Sequence, residues 1–85
     1  MNQQELKEAL RLHALFLKYK PEGVQLNLCE FDCSGLDFSG ANLTYAYFCS
    51  ANLTGANFTK TYCTRTNFIG ANFTDANLTD ANFTE

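Results

Sequence analysis

Four cysteines (Cys29, Cys33, Cys49 and Cys63) and a single histidine, His13, are the residues whose chemistry could go beyond that of a scaffold. Thiolates and imidazole hold zinc when four of them converge tetrahedrally. Two thiols whose Cα atoms lie close together form a disulfide. Nucleophilic catalysis needs a thiol or hydroxyl within reach of a base that is itself oriented by a third group. The triplet Asp32-Cys33-Ser34 holds reactive residue types, but no acid, serine or thiol is evidently paired with His13. No phosphate-cradling glycine loop is present either. What these residues can do is decided by the elements that position them.

The chain has 85 residues, enough for one small domain that must struggle to bury a sufficient core. Its net charge is −3, and only 18% of its residues are charged. Unaided binding to a nucleic-acid backbone requires lysine and arginine clusters, which this balance excludes. The charge is also uneven. Residues 1–20 carry four bases against two acids, for +2; residues 21–85 carry two bases against seven acids, for −5. The apolar run "ALRLHALFL" is too short for a membrane span and is interrupted by Arg11 and His13, so neither a span nor a signal peptide is read. A cytoplasmic protein is the expectation.

The stretch 1–20 has the pattern of one amphipathic helix. Asn2 and Glu5 form a capping pair, and Leu6, Leu10, His13 and Leu17 fall on one face with Ala9 and Phe16 beside them. Pro21 and Gly23 end it, and 21–25 reads as a connector. A helix of this length is marginal in water and must lie on something.

From Leu26 to the last residue the chain repeats every five residues, a period that neither a helix nor a strand accounts for. Twelve consecutive pentads have apolar centres, from Leu28, Cys33, Phe38 and Leu43 through to Phe83. Two residues before each centre stands a second inward position, bulky in Leu26, Phe31 and Leu36 and then mostly alanine. The other three positions are asparagine, serine or threonine, and a mixture of glycine and charge. Such a pattern makes a solenoid, in which each unit buries its apolar residue only because its neighbours stack on it.

The pentads "ANLTY", "ANLTG", "ANFTD" and "ANLTD" resemble the consensus of the pentapeptide-repeat family over residues 26–85. The resemblance implies an all-β solenoid: a right-handed quadrilateral β-helix with one pentad to a side and four to a coil. Sixty repeat residues then make three coils, and the N-terminal α-helix caps the first. In that geometry residues twenty apart stack at roughly 4.8 Å. Gly35, Gly40, Gly55 and Gly70 become corners. Leu26, Phe31 and Leu36 are expected to widen the first coil so that it receives Leu6, Leu10 and Leu17. Lys60 stacks beneath Asp80, and Arg65 lies between Tyr45 and Glu85, as cross-coil ion pairs with a cation–π contact.

The same register bears on the cysteines. Cys33 and Cys63 point inward on different sides while Cys29 and Cys49 point outward, so zinc ligation fails. Cys29 and Cys49 are stacked neighbours and a disulfide is sterically open to them, but a reducing compartment argues for free thiols. No catalytic residue, cofactor or metal is expected, and the protein reads as a non-enzyme.

What remains is surface. Tyr47 and Tyr62 stand where other pentads have asparagine or aspartate, and Ile69 shares an outward column with Cys29 and Cys49. With Tyr45 at the adjoining corner, they make a candidate protein-binding face of Tyr45, Tyr47, Tyr62, Ile69 and Cys49. Phe73, Leu78 and Phe83 would face outward from an uncapped third coil. Two chains meeting end to end as a homodimer, or a longer solenoid, would both cover them. The leading expectation is a protein-interaction or scaffold module for an unidentified protein partner, with no direct nucleic acid and no membrane. The alternative comes from the family resemblance: an acidic rod that mimics duplex DNA and binds DNA gyrase or another DNA-binding protein. Glu30, Asp32, Asp37, Asp75, Asp80 and Glu85 would then stand in for phosphates. Three coils span only about 15 Å at the strand spacing, which is short for such a mimic.

Overall fold

The computed structural model describes residues 1–84. Helix α1 spans Gln3–Leu17 and begins with the capping box that its sequence predicts. The Glu5 N–H donates to Asn2 Oδ1 (2.8 Å), and the Asn2 N–H donates to Glu5 Oε1 (2.9 Å). The two bonds satisfy donors that the helix start leaves without partners. After the helix the chain turns through Tyr19, in the left-handed region at φ 60°, and the connector returns along the helix. There the Val24 N–H donates to Leu12 O (3.0 Å). Gly23 makes this return feasible, because a Cβ at that position would lie 2.2 Å from Phe16 N.

The pentads then wind into a β-helix. Eight parallel bridges, from Asn27↔Tyr47 to Tyr62↔Asn82, each join residues twenty apart, so four pentads complete one coil. We number the coils 1 (26–45), 2 (46–65) and 3 (66–84). Each side contributes a single bridge residue rather than an extended strand, because the chain turns a corner every fifth residue. The corner residues have φ between 55° and 74°, whether they are glycine or, as at Tyr45, Lys60 and Asp75, not. Between neighbouring coils the ladder has one pattern. Leu28 N–H donates to Tyr47 O (2.7 Å), Glu30 N–H to Cys49 O (2.9 Å), and Tyr47 N–H to Leu26 O (3.0 Å).

Side chains at the pentad centres fill the interior in the predicted columns. Phe48 stacks on Phe68 with centroids 5.1 Å apart, and Phe38 on Phe58 at 4.7 Å. The small positions Ala46, Ala51 and Ala56 are fully buried between them. The two threonines that replace alanine bind backbone instead: Thr61 Oγ1 donates to Phe58 O and Thr66 Oγ1 to Leu43 O. Among the described residues no buried side-chain polar atom lacks a partner.

Helix α1 lies across the lower end of coil 1 and buries Leu6 against Leu26 and Leu36, with Ala9 and Leu10 packed beside them. Two expectations fail here. Leu17 lies at the edge, outside the core cluster, and Phe31 is 45% exposed because the helix crosses the coil without covering that side.

Candidate functional site

Ten of the twelve pentad sides are held by a bond within themselves. The Oδ1 of the outward asparagine or aspartate accepts from the N–H two residues on, as from Thr54 to Asn52 (3.1 Å) and from Ile69 to Asn67 (2.9 Å). Asparagine and aspartate suit this position because their side chains form such turns readily. Among the described residues the acceptor is missing only at Tyr47 and Tyr62, since tyrosine has no oxygen at that reach. Both rings are exposed, by 41% and 56%.

These two tyrosines lie on adjoining sides, and the corner between the sides carries Tyr45 and Arg65. Arg65 Nη1 approaches Tyr45 Oη at 3.5 Å, so the guanidinium meets the phenol oxygen rather than the ring face. Ile69 is exposed by 76% one coil above Cys49. At the helix end of the same corner, Tyr45 borders a small hollow with Phe16, Leu17 and the fully solvated Tyr19. A wider cleft in coil 3 runs from Arg65 and Ile69 to Phe83, and so connects the tyrosine face with the open end. The structure places Tyr47, Cys49 and Ile69 on one side of the stack, Tyr62 on the adjoining side and Tyr45 at the corner between them. Phe73 is half-buried, while Leu78 and Phe83 are exposed by 39% and 44% at the upper end of the stack.

Cys29 and Cys49 are joined by a disulfide across coils 1 and 2, with Cα atoms 4.5 Å apart. Free thiols were the expectation at this pair, and the structure corrects it: coil stacking places the two side chains in register on one face. Cys33 and Cys63 are buried free thiols, and burial raises the pKa of both. A buried, protonated thiol is a poor nucleophile. No cluster of metal-binding residues occurs among the described residues.

The acidic residues are dispersed. Asp32 and Asp37 are in coil 1, where Ser34 and Ser39 donate to their carboxylates and lower their pKa values. Above them in the same columns stand Asn52 and Asn57. Glu30, Asp75 and Asp80 occupy separate corners. Lys60 lies in register with Asp80, yet the expected ion pair is not formed. Among the described residues the one salt bridge is Glu8–Arg11 within the helix. Glu85, assigned both to the acidic set and to the Arg65 column, lies outside the described residues.

His13 does more than its place in the helix suggests. It is fully buried; the Leu26 N–H donates to Nδ1 (2.9 Å), and Nε2 pairs with Thr44 O (2.9 Å). These partners require the neutral ring with its proton on Nε2. Burial lowers its pKa, and the Thr44 bond opposes that shift. Gln3 acts in the same way further along the helix: its amide donates to Asp37 O (2.9 Å) and accepts from the Asp37 N–H (2.8 Å). Two helix side chains therefore take over bonds that a preceding coil would make. The sequence signal was a polar residue within the Leu6–Leu10–Leu17 stripe. For Gln3 there was none.

A model of pentapeptide repeats matches the chain in eight copies over residues 32–62 and 50–84, more than half its length. The chain belongs to the pentapeptide-repeat family. A pentapeptide repeat protein (Rfr23) of the cyanobacterium Cyanothece 51142 is similar in structure, with a TM-score of 0.57 and 28% sequence identity. The similarity covers 72% of this chain and 46% of that one, so the chain spans less than half the length of this relative. A search of curated protein sequences found no match. No helix among the described residues is long and apolar enough to cross a membrane.

Proposed function

We propose that the protein is a non-enzymatic interaction or scaffold module that binds a protein partner through the surface of Tyr45, Tyr47, Tyr62 and Ile69. The observation that carries this reading is the loss of the asparagine turn at Tyr47 and Tyr62. The ten other described sides keep that bond. Tyrosine there gives up a local bond and gains only exposed ring area, and exposed aromatics gathered on one face are the usual anchors of protein interfaces. The stack fixes the backbone that carries them, which lowers the ordering cost of binding.

Affinity capture with the wild-type chain and with Tyr47→Thr/Ile69→Thr tests the reading. A partner retained by the wild type and lost by the variant, with unfolding unchanged, is the expected result. Equal retention by both would sink it. The acidic DNA-mimic alternative has less support, since each acid stands alone in its column whereas duplex phosphates recur at even spacing.

A further inference from the structure

Coil 1 has a lower edge, and the ladder above it shows what that edge offers. Tyr47 turns both its N–H and its C=O down towards coil 1, to Leu26 O and Leu28 N–H, and Cys49 O accepts from Glu30 N–H. Asn27 and Cys29 occupy the same positions one coil lower, so Asn27 N–H, Asn27 O and Cys29 O face away from the stack. Asp32, Asp37 and Asn42 repeat this on the other three sides. Gln3 pairs with Asp37, and His13 covers Thr44 O. Among the described residues the main-chain groups of Asn27, Asp32 and Asn42 have no partner.

Of these sides, the one that carries Asn27 borders an apolar groove. Ala9 and Leu12 of the helix, Val24 of the connector, and Leu26, Leu28 and Phe31 of coil 1 line a cavity of about 290 Å³ beside Asn27. Val24 is 56% exposed and Phe31 45%. The volume is below that of pockets that enclose drug-sized molecules, and it suits single side chains. On the other flank of the helix the space beneath Asn42 is bordered by Lys7 and Arg11 instead.

We infer that this edge is a docking site for an extended peptide segment, which adds as a strand beneath Asn27 and inserts an apolar residue into the groove. The site specifies its occupant. A strand continuing the ladder supplies two N–H groups, to Asn27 O and Cys29 O, and one C=O, to Asn27 N–H. The residue that donates to Asn27 O points inward, as every pentad centre does, beneath Leu28 and beside Leu12. This is strand addition at an exposed β edge: main-chain bonds hold the peptide and one pocket selects its side chain. The site lies away from the tyrosine face and is independent of the reading given for it.

A suitable probe is the peptide TNFIGANFTD, the sequence of residues 66–75, whose two pentads carry the complementary donors and apolar centres. Added to the intact, isotope-labelled chain, it should give saturable amide shifts at Asn27, Asp32 and Val24 and slow hydrogen exchange at Asn27 and Asp32. N-methylation at the residues corresponding to Phe68 and Gly70 removes both donors and should weaken binding by about ten-fold or more. Val24→Asp, at an exposed side chain, should abolish it without altering the fold. Shifts confined to other faces, no saturation at millimolar peptide, or equal binding of the methylated peptide would overturn the proposal. So would Asn27 shifts that follow protein concentration alone, because the occupant would then be a second copy.

Discussion

The two ends of the stack are built from the same repeat and meet different fates. At the lower end Leu26, Leu28, Leu36 and Phe38 are buried, because α1 lies on them and Gln3 and His13 bind the coil edge. At the upper end Leu78 and Phe83, which hold equivalent centres, are 39% and 44% exposed. Burial here belongs to a position in the stack rather than to a residue type. A solenoid protects its interior only where something lies on either side of it.

The contrast is broken most sharply by placing one charge at two equivalent centres. Phe58→Asp inserts a carboxylate into coil 2, where the ring is fully buried, and cooperative thermal unfolding should disappear. Phe83→Asp introduces the same group at the exposed end and should leave the transition in place. Loss of cooperativity in both, or in neither, would show that the ends are not distinct.

The disulfide gives the next largest effect. It closes a loop of twenty residues between coils 1 and 2, whereas no such link ties coil 3 among the described residues. Cys29→Ser should lower stability by about 2–4 kcal/mol, read by chemical denaturation. Reductant should produce the same loss in the wild type and none in the variant.

A smaller, pH-dependent effect separates the covered end from the open one. His13 has a folded pKa below its ordinary value of 6.5, so the unfolded chain binds the extra proton first. Its contribution is complete above pH 6.5 and is lost as pH falls towards the lowered folded value. Protonation also sets an N–H against the N–H of Leu26. Denaturation midpoints should therefore fall on acidification, and His13→Gln should flatten that part of the fall. The carboxylates Asp32 and Asp37 act in the same direction at lower pH, and the variant separates the two sources.

Much of this architecture was legible in the residues. The five-residue period fixes which side chains turn inward, and four sides to a coil place Phe38 beneath Phe58 and Cys29 beneath Cys49. Asn2 and Glu5 announce the helix start. The disulfide was open on geometry and disfavoured on compartment, a property the residues do not encode. The docking of α1 was the least legible part. It rests on contacts between residues more than thirty positions apart, His13 with Thr44 and Gln3 with Asp37, which follow no period. Lys60 and Asp80 show the opposite error, since stacking in register puts two charges near each other without obliging long solvated side chains to meet. The tyrosine face was visible as departures from the consensus. The lost turn bonds that give those departures weight were visible only in three dimensions.

The asparagine turns have one more consequence, for how such a chain can change in length. Each outward oxygen binds within its own pentad, so no side depends on the identity of the next. Duplicating twenty residues would lengthen the stack and leave every outward column aligned. Duplicating five would fold as readily but turn everything downstream by a quarter of a revolution, carrying Ile69 off the side that holds Tyr47. Insertions along this lineage should therefore be tolerated by the fold in fives and by the proposed binding face only in twenties.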